Sequence, residues 1–343
     1  MYFGFDEDQI AVRDAVAGLL EKRAGLAYLQ AAWSDPASDG TWSLWPELAG
    51  MGVQGLLVPE DRGGAGFDWV AMALILAEAG RVALPLPLIE TAAIGLPLVV
   101  AAGDPTGIAA DLIAGDAVLS VAAGPGALAP AASRAGWFIV GGEAGPALYH
   151  RDEVEVVAER SVDHARDVGR VTPLRGGTPL AGAAAQSAPS PSAAGAVGAA
   201  AALVGLGRAL VQMTVDYVKD RKQFGVPVGS FQAVKHHLAD AAMHVEFAAP
   251  AVWAAAYALA HPDHQDPEEA ARSVSLAKAL ASDAATLAAR KALQCHGAMG
   301  YTDDYHLHLW LKRVWCLAAA YGSAGDHRRR IGTSLGVAGH GTR

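Results

Sequence analysis

Four long helix-compatible stretches near the end of this 343-residue chain set the strongest limit on its fold; they run over about 193–219, 230–260, 267–295 and 306–320, with a short piece after Gly325. In the second stretch Val234, Leu238, Ala241, Val245 and Ala249 fall on one face at helical spacing, and Pro250 is expected to kink it. The third has a marked start: Asp266 can cap it, Pro267 suits the first helical position, and Glu268 and Glu269 favour its positive end. Helices of this length with single apolar stripes bury those stripes against one another, so the region reads as a four-helix bundle whose stripes are core rather than cofactor contacts.

The upstream part is also helical at first. Residues 6–22 carry Ile10, Val12, Val16, Leu19 and Leu20 near helical spacing, and 42–51 make a second short helix stopping at Gly52. Apolar residues 53–58 lead into the glycine-rich loop 59–66, read as a connecting loop whose glycines could also fit around a ligand. Helices are expected over 69–80 and 88–101, the latter broken or tightened at Pro97. From 116 to about 171 the pattern changes to short β-type runs, AVLSVAA, WFIVG, ALYH and VEVV, and 173–192 read as a Pro, Gly, Ala and Ser-rich linker. The expected architecture is mainly α with a small β-domain (α+β): an N-terminal helical domain over 1–115, a middle β-barrel-like domain with its linker over 116–190, and the C-terminal four-helix bundle over 191–343.

Hydrophobic residues make up 52% and charged residues 18%, which indicates a globular chain able to bury a sizeable core. A formal net charge of −9 argues against nucleic acid and anionic membranes as partners, so an anionic ligand would need a local basic site. Cys295 and Cys316 are the only cysteines, too few for a disulfide framework and without metal-ligand spacing, which implies a reducing compartment and no metal. Asp6, Glu7 and Asp8 stand where a signal peptide would carry positive charge, so the expected location is cytoplasmic. Residues 176–207 hold no charge but are mostly Ala, Gly, Ser and Pro, a poor membrane span whose second half reads as a bundle helix.

The residues that could carry chemistry lie at 291–313, where a helix end near Cys295 meets Gly297, Ala298, Met299 and Gly300, followed by adjacent Asp303 and Asp304. On their own they read either as a helix stop with the next helix's cap or as a tight turn that lets another molecule approach closely. A second stretch bears on the choice: Arg-Lys-Gln-Phe-Gly at 221–225 and Ser-Phe-Gln at 230–232. With Gln-Cys-His-Gly-Ala-Met-Gly-Tyr at 294–301, this order and spacing resembles the C-terminal half of the acyl-CoA dehydrogenases, whose pattern is Arg-x-x-Phe-Gly, a Phe-Gln helix start and Gln-x-x-Gly-Gly-x-Gly-Tyr/Phe. Residues 45–69, WPELAGMGVQGLLVPEDRGGAGFDW, look like that family's N-terminal helical domain.

The resemblance implies FAD as cofactor, an acyl-CoA thioester as substrate and an electron-acceptor flavoprotein. It maps the contact with the pyrophosphate and adenosine of a neighbouring subunit's FAD onto Arg221, Gln223 and Phe224, with Gln232 at the Phe-Gln helix start. The chemistry suits the role: a guanidinium forms paired charge-assisted bonds to phosphate, and a phenyl ring can cover an apolar part of the cofactor. Gln294, Gly297 and the backbone at Ala298 and Met299 match the second FAD element, with Ala298 in place of the family's second Gly, and Ser323 falls where a Gly-Thr lies beside the flavin.

Asp304 stands at the position the resemblance assigns to the catalytic base, where the family has Glu. It is shorter by one carbon–carbon bond, roughly 1.5 Å, and a misplacement of about 1 Å can cost on the order of a hundredfold. No acid occurs over 191–206, where some relatives place theirs. The family's Thr-Glu-Pro-x-Ala-Gly-Ser-Asp loop and Trp-x-Ser/Thr strand, which hold the flavin ring, are both missing. The leading expectation is therefore a subunit of a hetero-oligomer, like the paired actinobacterial acyl-CoA dehydrogenases acting on bulky steroid side-chain thioesters, that completes a FAD site with a partner acyl-CoA dehydrogenase chain. The alternatives are an independent flavoenzyme, also as a homo-oligomer, using Asp304 as base in the manner of nitroalkane oxidases, and a non-catalytic structural subunit.

Overall fold

The structure, a computed structural model, describes residues 4–337. They form two compact units, residues 4–72 with Pro85–Gly195 and Ala73–Leu84 with residues 196–337.

The first unit begins with helix Glu7–Arg23, closed by a capping box between Asp6 and Gln9. Gln9 also donates to Asp68 at 3.1 Å, and Asp68 in turn accepts the backbone N–H groups of Val70 and Ala71, so one carboxylate starts the helix at Trp69 and anchors the first. Helices Leu26–Ser34, Asp39–Trp42 and Leu44–Gly50 follow, with Leu20, Leu44 and Leu48 fully buried. The first of these was not expected from the sequence. The glycine-rich loop at 59–66 folds on its own chain: the amides of Ala65, Gly66 and Phe67 donate to the carbonyls of Gly55, Val58 and Leu56, and a Cβ on Gly64 would lie 2.1 Å from the Val58 oxygen. The backbone donors from Arg62 to Phe67 are therefore used by the connection itself.

Pro97 does not tighten its helix. Residues Ile89–Gly95 form a wider π-helical turn, in which the Leu96 amide reaches back to the Thr91 carbonyl, and Pro97 lies in the first turn of the helix Leu96–Ala101 that follows. A proline inside an α-helix loses one hydrogen bond and presses on the carbonyl four residues back; here the helix runs on unbroken from the π turn, and Pro97 follows directly on the widened backbone that relieves that contact.

Seven strands make two small sheets. β1 (Leu119–Ala122), β3 (Trp137–Val140), β4 (Ala147–His150) and β7 (Thr178–Pro179) form one in the order β1-β3-β4-β7; β2 (Ala127–Pro130), β6 (Val168–Pro173) and β5 (Val154–Glu159) form the other in the order β2-β6-β5. Only β1 and β3 are parallel. Phe138, Val140, Val154 and Val171 fill their small core. The expected loose linker is partly ordered, since β7 pairs with β4 and a short helix spans Ala183–Ser187. The architecture is thus mainly helical with a small sheet region.

In the second unit, helices Pro191–Asp220, Gln232–Ala260, Pro267–His296, Leu307–Ala319 and Ala324–Ser334 supply the bundle, and Pro250 lies inside its helix rather than ending it. Two glycines set one crossing: a Cβ on Gly205 would lie 1.8 Å from the Ala77 carbonyl oxygen, and one on Gly80 would lie 2.1 Å from that of Ala202. Side-chain-free positions on both helices let the backbones touch. Trp310 donates to the Arg81 carbonyl at 3.0 Å, and buried Arg313 donates to those of Ala83 and Leu84, fixing the turn where Ala83 has φ of 48°. Pro191–Asp220 is long and apolar enough to cross a membrane by composition, and 89% of its apolar window is buried in the fold.

Candidate functional site

Helix Pro191–Asp220 gives way at once to a two-residue hairpin, β8 (Lys222–Gln223) and β9 (Val226–Pro227), with Lys222 opposite Pro227 and Gln223 opposite Val226. Both turn residues have positive φ, 53° at Phe224 and 80° at Gly225, as the right-handed twist of a tight hairpin requires. Glycine adopts this freely; phenylalanine does not. Phe224 is also 92% exposed, so the hairpin holds a large ring in strained backbone and in water. Its nearest aromatic neighbour is Phe231, edge-on at 6.3 Å.

The second element is the end of helix Pro267–His296, which stops where Gly297 takes φ of 59° and ψ of −138° and continues as a 3-10 turn over Gly297–Tyr301. A side chain is not tolerated readily there, so the glycine is a backbone requirement.

These elements meet around one cavity of about 460 Å³, which brings together Arg221, Gln223, Phe224, Gln294, Gly297 and Ala298. Tyr217, His237 and His296 line it too, although nothing in the sequence reading singled them out. Helical spacing could have found two of them: Tyr217 lies one turn before Arg221, and His237 one turn after Ala233, another lining residue.

No aspartate or glutamate lines this cavity. Among the described residues Arg221 has no ion-pair partner, and Lys291 reaches only His237, with Nζ 2.8 Å from Nδ1. His296 is buried, donates from Nδ1 to the Ala292 carbonyl at 2.8 Å and stacks on Tyr217 with ring centroids 4.2 Å apart. Burial holds its pKa below the ordinary imidazole value, so it is a neutral wall of the cavity. Burial raises the Cys295 thiol, against a smaller opposing effect of Lys291. A local positive site thus exists in a chain of net charge −9. A second cavity, of about 770 Å³, differs: its Arg272 faces Glu268 at 3.6 Å and its Arg329 pairs with Asp326.

Three expected residues lie outside the 460 Å³ cavity. Gln232 is exposed as the first residue of its helix, between lining residues Phe231 and Ala233. Ser323 caps helix Ala324–Ser334: its hydroxyl donates to the Asp326 carboxylate at 2.6 Å and accepts the Asp326 amide at 3.2 Å. Asp304 is exposed in the turn before helix Leu307–Ala319, whose N-cap is His306 with no side-chain cap bond, so the Asp pair does not cap that helix. Asp303 instead points toward His308, at 3.9 Å.

Comparison with known proteins gives a consistent result. Residues 192–336 match the family model described as acyl-CoA dehydrogenase, C-terminal domain, and residues 6–106 the one described as acyl-CoA dehydrogenase, N-terminal domain. The chain is 31% identical over 330 residues to acyl-CoA dehydrogenase IpdE2 of Mycobacterium tuberculosis, covering 95% of this chain and 96% of that protein. Among solved structures, a chain of the ChsE4-ChsE5 complex from Mycobacterium tuberculosis superposes with a TM-score of 0.85 at 23% identity, over 98% of this chain and 99% of that one. A chain of the Tcur3481-Tcur3483 steroid ACAD G363A variant does so with a TM-score of 0.83 at 23% identity, over 96% and 98%.

Proposed function

Because this chain belongs to the acyl-CoA dehydrogenase family, oxidoreductases acting on CH–CH bonds, we propose that it is a subunit supplying the adenosine and pyrophosphate half of a FAD site shared with a partner chain, in the α,β-dehydrogenation of an acyl-CoA thioester. The observation that carries this reading is the 460 Å³ cavity, where two separate motif stretches converge around the Arg221 guanidinium without a single carboxylate. Such a donor set fits a diphosphate with an attached ring system. Arg221 can hold phosphate oxygens by charge-assisted bonds, Phe224 and Tyr217 offer ring faces, and the strained, exposed hairpin gains a cover when the ligand and a second chain arrive.

Bound FAD accepts the β-hydride of the thioester in this chemistry. This chain's residues bind and orient the distant half of the cofactor. The flavin-side functions fall to the partner, since the Ser323 hydroxyl is committed to Asp326 and Asp304 lies in an exposed turn. The name of the ChsE4-ChsE5 complex, two different chains, supports a hetero-oligomer, and the steroid named for the other structural neighbour supports a bulky steroid-derived acyl group. An electron-acceptor flavoprotein completes the cycle.

The test is to purify the chain alone and co-expressed with a candidate partner acyl-CoA dehydrogenase chain, and to measure flavin absorbance and molar mass by light scattering. We expect the co-purified assembly to carry flavin and the lone chain to carry little. A flavin-loaded lone chain with full turnover overturns the shared site: as a monomer it also removes the oligomer, and as a homo-oligomer it returns the function to this chain.

A further inference from the structure

Arg221 accounts for one positive charge at the cavity; the structure holds a second, built from two residues that no motif covers. Lys291 Nζ, which carries only hydrogens, lies 2.8 Å from His237 Nδ1, so Nδ1 must accept and the ring proton must sit on Nε2. His237 lines the cavity, and with Nδ1 engaged, its Nε2–H is the group left to meet a ligand. Lys291 does not line the cavity, but its charge reaches far enough to act on the Cys295 thiol there. Among the described residues no carboxylate neutralises Lys291. The cavity is thus lined by a guanidinium and by an imidazole N–H backed by an ammonium.

We propose that His237 is a ligand-binding residue and Lys291 its positioning residue, together gripping one phosphate of a diphosphate while Arg221 grips the other. This rests on the reading of the cavity as the adenosine-side FAD site and adds to it the means of selecting a diphosphate. A single phosphate could be held by Arg221 alone; a second donor, backed by a cation that no internal anion neutralises, suits a ligand with a second negative charge. Lys291 fixes the tautomer that presents a donor rather than a lone pair. The charged or titratable groups around His237 are Lys291, Cys295 and His296 from helix Pro267–His296, Arg221 before the hairpin, and Lys235, His236 and Asp240 on its own helix.

Calorimetric titration of the full-length chain with ADP-ribose and with adenosine tests this. The diphosphate of ADP-ribose is a diester and keeps its charge across neutral pH; adenosine carries none. His237→Ala and Lys291→Met should each weaken ADP-ribose about tenfold or more, leave adenosine within a factor of about two, and Lys291→Arg should restore binding. A purely structural role for Lys291 would weaken both ligands alike and would not be rescued selectively for ADP-ribose by Lys291→Arg. Equal losses for both ligands, or variants that bind ADP-ribose like a wild type that also binds FAD, overturn this inference and leave the FAD reading standing. A wild type that binds FAD but not ADP-ribose overturns it as well. A wild type that binds neither, alone or in its assembly, removes both.

Discussion

Lys278, which has no exposed surface, donates from Nζ to the Gly322 carbonyl at 3.1 Å across 44 positions of sequence. The same ammonium donates to the Ala318 carbonyl and the Ser282 hydroxyl, each at 3.0 Å, so one lysine of helix Pro267–His296 holds the turn at which Tyr321 and Gly322 take φ of 56° and 99°. From the other side His327 donates to the Tyr321 carbonyl at 3.0 Å. A left-handed turn of this kind persists only where its surroundings over-determine it.

Burial moves Lys278 from its ordinary 10.5 down to about 8. Between those values the unfolded chain binds a proton that the folded chain has released, so the residue's contribution to stability rises with pH across that window and is constant below about 8. We expect the stability of the wild type relative to Lys278→Met to increase by roughly 3 kcal/mol at most from pH 8 to pH 10.5. Chemical denaturation of both proteins over that range decides it; a flat difference refutes the assignment.

Gly205 offers a sharper packing test. In an open helix Gly→Ala stabilises by about 1 kcal/mol, but here the added carbon would meet the Ala77 carbonyl oxygen at 1.8 Å and the Arg81 amide at 2.7 Å, both backbone atoms. Gly205→Ala should therefore destabilise by about 1–3 kcal/mol. Gly18, in helix Glu7–Arg23, has nothing within 4 Å of the added carbon, so Gly18→Ala should raise stability by about 0.5–1 kcal/mol. Thermal melts of the two variants should move in opposite directions.

Local signals in the sequence were the legible ones. The cap at Asp266, the proline at 267 and the apolar stripe through Val245 and Ala249 all act within a few residues, and the helices they mark begin and bury as expected. The two motif stretches were legible for the same reason: each is contiguous. What the sequence hid depends on partners far away along the chain. The π turn at Ile89–Gly95 and the pairing of β7 with β4 follow from tertiary packing that no local pattern encodes. Tyr217, His237 and His296 join the cavity because three helices end or begin there, and Lys291 becomes relevant only through His237. The hairpin at 222–227 escaped notice because Phe occupies a turn position where glycine or asparagine would have announced it.

That misfit yields a prediction in which stability and binding part company. Phe224→Gly removes a ring that is 92% exposed and relieves positive-φ strain worth about 1 kcal/mol. The melting temperature should hold or rise. FAD retention in the assembled protein should fall, since the ring proposed to cover the cofactor is gone, by about 0.5–1.5 kcal/mol. Flavin release on dilution measures the second effect, and a variant that loses stability while keeping its flavin contradicts the role given to Phe224.

Asp304 is the residue on which the proposed division of labour between subunits turns. A catalytic carboxylate works best when a closed, apolar pocket raises its pKa toward the working range. Asp304 has the opposite setting: it is exposed, lies in a turn and lines neither cavity. With the Ser323 hydroxyl tied to Asp326, this chain presents neither a tuned base nor a free flavin-side donor at the two positions to which the sequence resemblance assigns them. We therefore expect Asp304→Asn in the assembled complex to leave turnover of a suitable acyl-CoA thioester within about threefold of wild type, with FAD content unchanged. The equivalent change at the partner's base should abolish turnover. The measurement is steady-state dehydrogenation by the two reconstituted complexes, side by side. A loss of about three orders of magnitude or more for Asp304→Asn alone would place the base on this chain after all and require the exposed turn to close over substrate.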